Sequence, residues 1–144
     1  MKTIYLDHAA TTYIDNAVLK KILPYLKENF GNPSSLYLIG RRAKAAIENA
    51  RAGIAKILGV SSREIIFTGS GTESDNLAIL GVAKAYSDKG RHIIVSKIEH
   101  KAVLESVKKL EKDGFQITYL DVDSKGLVNL PELKKSLRPD TILV

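Results

Sequence analysis

The sequence predicts an α/β fold built on a mostly parallel sheet, and three observations support this prediction. From residue 64 onward, short β-branched runs alternate with longer helical segments, an order typical of strand–helix–strand crossover units. The composition is that of an ordinary globular protein, with 44% hydrophobic and 26% charged residues. The chain has 144 residues, which is enough to bury a core.

Two amphipathic helices are predicted before this alternation begins. The first spans residues 16–30 and is expected to kink at Pro24, because proline lacks the backbone N–H that an inner helical turn needs. The second spans about residues 40–58, with apolar side chains along one face and Gly59 as its stop. A loop at residues 31–35 joins the two helices.

Four strands and three further helices are predicted in the remainder of the chain. The strands are expected at 64–68, 92–96, 116–119 and 141–144, and the helices at about 72–89, 101–113 and 130–137. No turn residue or cap follows the last predicted strand. We therefore expect more chain, or a partner that supplies it, after Val144, and we expect the chain alone to self-associate through its unpaired sheet edge.

Composition and charge argue against several classes of function. The 22 Lys and Arg against 16 Asp and Glu give a net charge of +6, but the basic residues are interspersed with acidic ones along helices, which argues against nucleic acid as a partner. The chain contains no Cys, so it offers no disulfide, no Cys-based metal site and no thiol nucleophile. Neither a signal peptide nor an apolar run of about 20 residues is present, which favours a cytoplasmic protein that makes no contact with membrane. We predict no metal site.

The most informative local feature is the segment Phe-Thr-Gly-Ser-Gly-Thr-Glu-Ser at residues 67–74, where a predicted strand gives way to a helix. Glycines allow the backbone to turn tightly, and a helix start offers unpaired N–H groups with partial positive charge. The hydroxyls of Ser70 and Thr72 could donate to phosphate oxygens. The alternative is a plain capped turn with Thr72 as the N-cap.

Two known phosphate motifs can be compared with this segment. A P-loop requires Gly-Lys-Ser/Thr after its glycines, and the chain has none there. The dinucleotide-binding fingerprint fits Gly69 and Gly71, but its third glycine would fall on Ser74. A nucleotide-binding module therefore remains a second interpretation.

A second feature, Ser-Lys-Ile-Glu-His at residues 96–100, follows the carboxyl end of the 92–96 strand. Ligands bind at this edge of a parallel sheet, so His100 is expected near the same crevice as Thr72. An imidazole there could stack on an aromatic cofactor and exchange protons. By itself, a histidine that opens a helix is more often a surface or capping residue, and His92 within its strand is expected to be structural.

Four motifs in the same order resemble the cysteine desulfurases, and the match covers essentially the whole chain. The motifs are Leu-Asp-His-Ala-Ala-Thr-Thr at 6–12, Gly-Asn-Pro-Ser-Ser at 31–35, Thr-Gly-Ser-Gly-Thr-Glu-Ser-Asp-Asn at 68–76 and Ser-Lys-Ile-Glu-His-Lys-Ala-Val-Leu at 96–104. One departure is Tyr37, where members often carry His.

The resemblance implies the first part of a fold-type-I transferase that depends on pyridoxal 5'-phosphate and is a homodimer at full length. Residues 1–14 would belong to the small domain, and 15–144 would form the first part of the large, mostly parallel-sheet domain. By the motif match, Gly71 and Thr72 would hold the cofactor phosphate, and His100 would stack on the pyridine ring and transfer protons. Weaker candidates for the substrate pocket are Thr11, Thr12 and Asn32.

The implied reaction converts L-cysteine to L-alanine and leaves the sulfur as an enzyme persulfide. That sulfur would pass to an acceptor or scaffold protein for iron–sulfur cluster assembly or thiolation. The family's cofactor-binding lysine and persulfide Cys would lie beyond Val144, so the chain alone is expected to be inactive. A selenocysteine lyase, a class V aminotransferase or a non-catalytic phosphate- or nucleotide-binding module remain alternatives.

Overall fold

The structure is a computed structural model that describes residues 4–144, so residues 1–3 of the predicted N-terminal segment lie outside it. The chain divides into two compact units, one ending at Ile66 and the other spanning Phe67–Val144. The division predicted after residue 14 stays a prediction. No described helix is long and apolar enough to cross a membrane.

The first unit contains two helices close to those predicted. Helix α1 spans Asn16–Lys27, and the Asp15 side chain caps it by accepting the Ala17 N–H at 2.7 Å. Helix α2 spans Leu38–Leu58 and ends at Gly59, whose φ of 69° is left-handed and therefore favours glycine.

Glycines allow the start of α2 to lie directly against the preceding loop. A Cβ added to Gly31 would lie 2.5 Å from the Ile39 carbonyl oxygen, and one added to Gly40 would lie 2.5 Å from the Ser35 carbonyl oxygen. Real side chains do not tolerate such distances to backbone. The 31–35 loop thus depends on glycine at both positions for its present packing.

The second unit is a parallel sheet with helices, which confirms the predicted fold class. Its strands are β1 at His92–Ser96, β2 at Gln116–Leu120 and β3 at Thr141–Leu143, in the order β2-β1-β3. Both pairings of β1 are parallel. The helices are α3 at Gly71–Ala85, α4 at Lys101–Lys112 and α5 at Leu130–Ser136. The core is apolar and consists of Ala83, Ile93, Val95, Val107 and Leu110.

The strand predicted at 64–68 is not formed, and this prediction was wrong. Ser62–Glu64 make a 3₁₀ turn, and Ile65 then continues with extended backbone at φ −94° and ψ 120°. An extended segment becomes a strand only when a neighbour completes its ladder, and no described strand pairs with this one. The Ile65 carbonyl instead accepts a hydrogen bond from the Arg51 side chain.

His92 connects all three strands from the centre of the sheet, as its predicted structural role requires. Its fully buried ring contacts the Thr141 hydroxyl at 2.7 Å through Nδ1 and the Thr118 hydroxyl at 2.8 Å through Nε2. Burial, assisted by the Arg138 guanidinium and opposed by the Asp140 carboxylate, lowers the pKa of His92 below its ordinary value of 6.5. The neutral ring therefore suits this position.

Candidate cofactor site

The start of α3 is capped by Ser70 and not by Thr72. The Ser70 hydroxyl oxygen accepts the Glu73 N–H at 3.2 Å, so Thr72 is the second residue of the helix. The capped-turn interpretation with Thr72 as N-cap was therefore wrong. Because serine performs the capping, the Thr72 side chain is not needed for that purpose.

Glu73 holds the turn before the helix, a role that the sequence analysis missed. Its Oε2 accepts the Gly69 N–H at 2.7 Å. The Ser-x-x-Glu spacing from Ser70 to Glu73 is the signal that could have identified it, because this spacing is typical of capping boxes. The Gly69 N–H is thus already engaged within the protein and is not among the donors left for a ligand.

Two other residues at this helix start keep unused donors. Among residues 4–144, neither the backbone N–H groups of Gly71 and Thr72 nor the Thr72 hydroxyl has a hydrogen-bond partner. They are the first two residues of α3, where helix geometry leaves N–H groups unpaired and the helix dipole attracts anions. A Cβ added to Gly71 would meet nothing within 4 Å, so the space beside these donors is open. This donor set fits a phosphate group.

His100 lies at the start of α4, after the turn that follows β1. Its Nδ1 accepts the Ala102 N–H at 3.1 Å, which makes His100 the N-cap of that helix. The same turn is tied to β2, since the Lys97 N–H donates to the Leu120 carbonyl at 3.0 Å and the Lys97 ammonium pairs with Asp121 at 2.6 Å. Residues at the carboxyl ends of two strands therefore position His100.

The topology brings the starts of α3 and α4 to the same edge of the sheet. Helix α4 begins just after the carboxyl end of β1, whereas α3 ends shortly before β1 begins. The two helices pack against each other. Each therefore begins at the carboxyl edge of the parallel strands, where α/β proteins bind ligands. Gly71, Thr72 and His100 share this edge, as the sequence predicts.

Thr11, Thr12 and Asn32 belong to the other compact unit, and each has a local partner there. The Thr12 hydroxyl contacts His8 Nδ1 at 2.9 Å, and the Thr11 carbonyl accepts the Tyr5 hydroxyl at 3.1 Å. The Asn32 side-chain oxygen accepts the Ser34 N–H at 2.9 Å. Their place in a substrate pocket stays a prediction.

A cavity of about 370 Å³ in the second unit is distinct from these donors. Ile94, Leu120, Leu133 and other apolar side chains form most of its wall, with Ser96 and Glu99 as the polar exceptions. Such a lining does not suit a phosphate dianion, because burying a charge without paired donors is costly. We therefore place the candidate site at the helix starts. No group of three or more potential metal ligands occurs in the part of the chain that the structure describes.

Comparison with known proteins identifies relatives over the whole chain. The family model for class-V aminotransferases matches residues 4–144. A putative cysteine desulfurase IscS 1 of Bacillus subtilis is 55% identical over 144 residues, which are 100% of this chain and 38% of that protein. Cysteine desulfurase IscS of Dictyoglomus turgidum is 57% identical over 143 residues, which are 99% of this chain and 36% of the relative.

Solved structures of similar proteins also match this chain. A NifS-like protein matches with a TM-score of 0.91 and 44% identity over 96% of this chain and 38% of its own. A structure of SspA in complex with cysteine matches with a TM-score of 0.88 and 40% identity, over 96% of this chain and 40% of its own. The chain thus spans well under half the length of the relatives it matches.

Proposed function

Because the chain belongs to the class-V aminotransferase family, we propose that it is the N-terminal part of a cysteine desulfurase that depends on pyridoxal 5'-phosphate. The desulfurase names of relatives 55% and 57% identical support this activity, as does the neighbouring SspA structure with cysteine. The observation that carries the proposal is the pair of unused backbone donors at Gly71 and Thr72, at the same sheet edge as His100.

Gly71 and Thr72 would hold the cofactor through its phosphate. Two backbone N–H groups and the Thr72 hydroxyl can donate to three phosphate oxygens, and the positive end of α3 favours the dianion. The Ser70 cap and the Glu73 carboxylate keep the turn in place by hydrogen bonds within the protein. Phosphate binding would therefore require no rearrangement of the capping bonds.

His100 would act beside the cofactor ring. When bound, the cofactor supplies an electron sink for the negative charge left on the substrate α-carbon. An imidazole next to that carbon can present its flat face to the ring and can exchange a proton near neutral pH. Thr11, Thr12 and Asn32 are proposed to line the substrate pocket.

The reaction would convert L-cysteine to L-alanine and leave its sulfur on a cysteine thiol as a persulfide. This chain contains no Cys, so that thiol must come from elsewhere in the complete enzyme, and we expect the 144-residue chain alone to release no sulfur. We further propose that the complete enzyme is a cytoplasmic homodimer. It would pass its sulfur to an acceptor or scaffold protein for iron–sulfur cluster assembly or thiolation.

A hybrid enzyme tests this function. The chain would replace the matching 143 residues of the Dictyoglomus turgidum desulfurase, to which it is 57% identical. We expect the hybrid, loaded with pyridoxal phosphate, to form alanine and a persulfide from cysteine at a rate within about tenfold of the parent. A hybrid that folds and binds the cofactor, but transfers amino groups without releasing sulfur, would overturn the proposal. The unmodified parent provides the matched control.

A further inference from the structure

His100 has two roles that compete for the same ring. It is the proposed proton-transfer residue, and it is also the N-cap of α4, because its Nδ1 accepts the Ala102 N–H at 3.1 Å. A nitrogen that accepts a hydrogen bond must present a lone pair. In the capped arrangement, Nδ1 of the neutral ring therefore carries no hydrogen, and the hydrogen resides on Nε2.

The capped tautomer cannot take a proton at Nε2. That nitrogen already bears a hydrogen and has no free lone pair, so it can only donate a hydrogen bond. Accepting a proton at Nε2 requires the other tautomer, in which Nδ1 carries the hydrogen. The Nδ1 hydrogen would then point at the Ala102 N–H, and the two donors exclude each other.

We propose that the α4 cap holds His100 as an Nε2–H hydrogen-bond donor, and that His100 exchanges a proton only after its bond to Ala102 opens. The second half of this statement rests on the proposed function. In the open form, the proton that leaves the substrate bonds to the Nε2 lone pair and the ring becomes a cation. The same proton leaves Nε2 for its acceptor when the ring returns to neutral.

The structure allows the ring to leave without unwinding the helix. The His100 carbonyl accepts the N–H groups of Val103 at 2.9 Å and Leu104 at 3.1 Å, and neither bond involves the ring. The Ala102 carbonyl accepts the Ser106 hydroxyl at 2.7 Å, and Ala102 and Ser106 are both buried. Opening the cap therefore removes one hydrogen bond while the first turn of α4 remains anchored.

The first test needs no cofactor, so its failure is distinct from failure of the proposed function. Imidazole ¹⁵N spectra of the cofactor-free hybrid, recorded at a pH where the rings are neutral, report which nitrogen bears the hydrogen. The His100→Asn variant identifies the His100 signals by their disappearance. We expect the Nε2–H form for His100. An Nδ1–H form, or a mixture of both, would overturn the proposal.

The second test asks whether proton exchange needs an open cap. In the cofactor-loaded hybrid, deuterium uptake of the Ala102 amide is compared with and without L-alanine, the proposed product, whose α-proton can exchange. We expect several-fold faster uptake with L-alanine. No acceleration is expected in His100→Asn, because asparagine can cap α4 but cannot exchange the proton. If the α-proton of L-alanine exchanges while deuterium uptake of the Ala102 amide is unchanged, proton exchange does not require the bond between His100 and Ala102 to open, and the proposal is wrong.

Discussion

Helices α3 and α4 start at the same edge of the sheet, yet the backbone N–H groups at their starts are hydrogen-bonded in different ways. At α3, Ser70 and Glu73 accept N–H groups, which leaves the donors of Gly71 and Thr72 without partners. At α4, the cap is His100 itself. Capping by a residue that does not bind the ligand leaves the other N–H groups of a helix start available to an anion, whereas capping by a candidate acid–base residue constrains that residue. Substitutions at the start of α3 should therefore affect cofactor binding, whereas substitutions at the start of α4 should affect proton exchange.

The largest effect is expected at α4, in the hybrid enzyme. Replacing His100 by Ala or Asn should slow alanine formation by about 10²- to 10⁴-fold, because both remove the group that exchanges protons. Steady-state rates with cysteine measure this loss, with cofactor absorbance as the control for occupancy. Equal activity in either variant would restrict His100 to its capping role.

A smaller effect is expected at α3. Thr72→Val should weaken cofactor retention by about 1–2 kcal/mol, or roughly 5- to 30-fold, which is the scale of a hydrogen bond to a charged acceptor. Thr72→Ser keeps the hydroxyl and should bind nearly as well as the unaltered hybrid. Equilibrium dialysis of pyridoxal phosphate measures both variants, and a Val variant that binds like the Ser variant would remove the Thr72 hydroxyl from the site.

Stability separates the two roles of His100. His100→Ala should lower the free energy of unfolding by about 1 kcal/mol, the typical value for losing an N-cap, whereas His100→Asn should change it by only a few tenths. Urea unfolding of the chain, followed by circular dichroism, measures the difference. Equal losses in the two variants would show that the Ala102 bond contributes nothing.

The smallest effect is expected away from both helix starts, at His92. Burial lowers the pKa of His92 in the folded chain, so the unfolded chain binds the proton first as the pH falls. The free energy of unfolding should therefore decrease as the pH drops below about 6.5 and level off below the folded-state pKa. Urea titrations at several pH values measure the slope. A slope that disappears in His100→Asn would contradict the assignment to His92.

The two helix starts also show what the sequence could predict. Strands β1 and β2 and helices α2 and α4 lie within one or two residues of their predicted ends, because β-branched runs and glycine stops are local signals. The prediction of a strand at 64–68 failed because the hydrogen-bond ladder of a strand depends on a distant partner that no local pattern reveals. Similarly, the sequence indicated an anion site at 67–74, but the alternative with Thr72 as N-cap was wrong, because Ser70 caps α3. The cap is the residue whose backbone departs from the helix, and Ser70 is extended at φ −164° and ψ 163°.

Titration of the ¹⁵N-labelled chain with pyridoxal phosphate and, separately, with inorganic phosphate locates the anion site directly. We predict that the amide signals of Gly71 and Thr72 shift most, because their N–H groups are unused. The Gly69 amide, bonded to Glu73, and the Ala102 amide, bonded to His100, should shift little. If the largest shifts fall at Gly69 or Ala102, or away from the start of α3, the phosphate site lies elsewhere and the account is wrong.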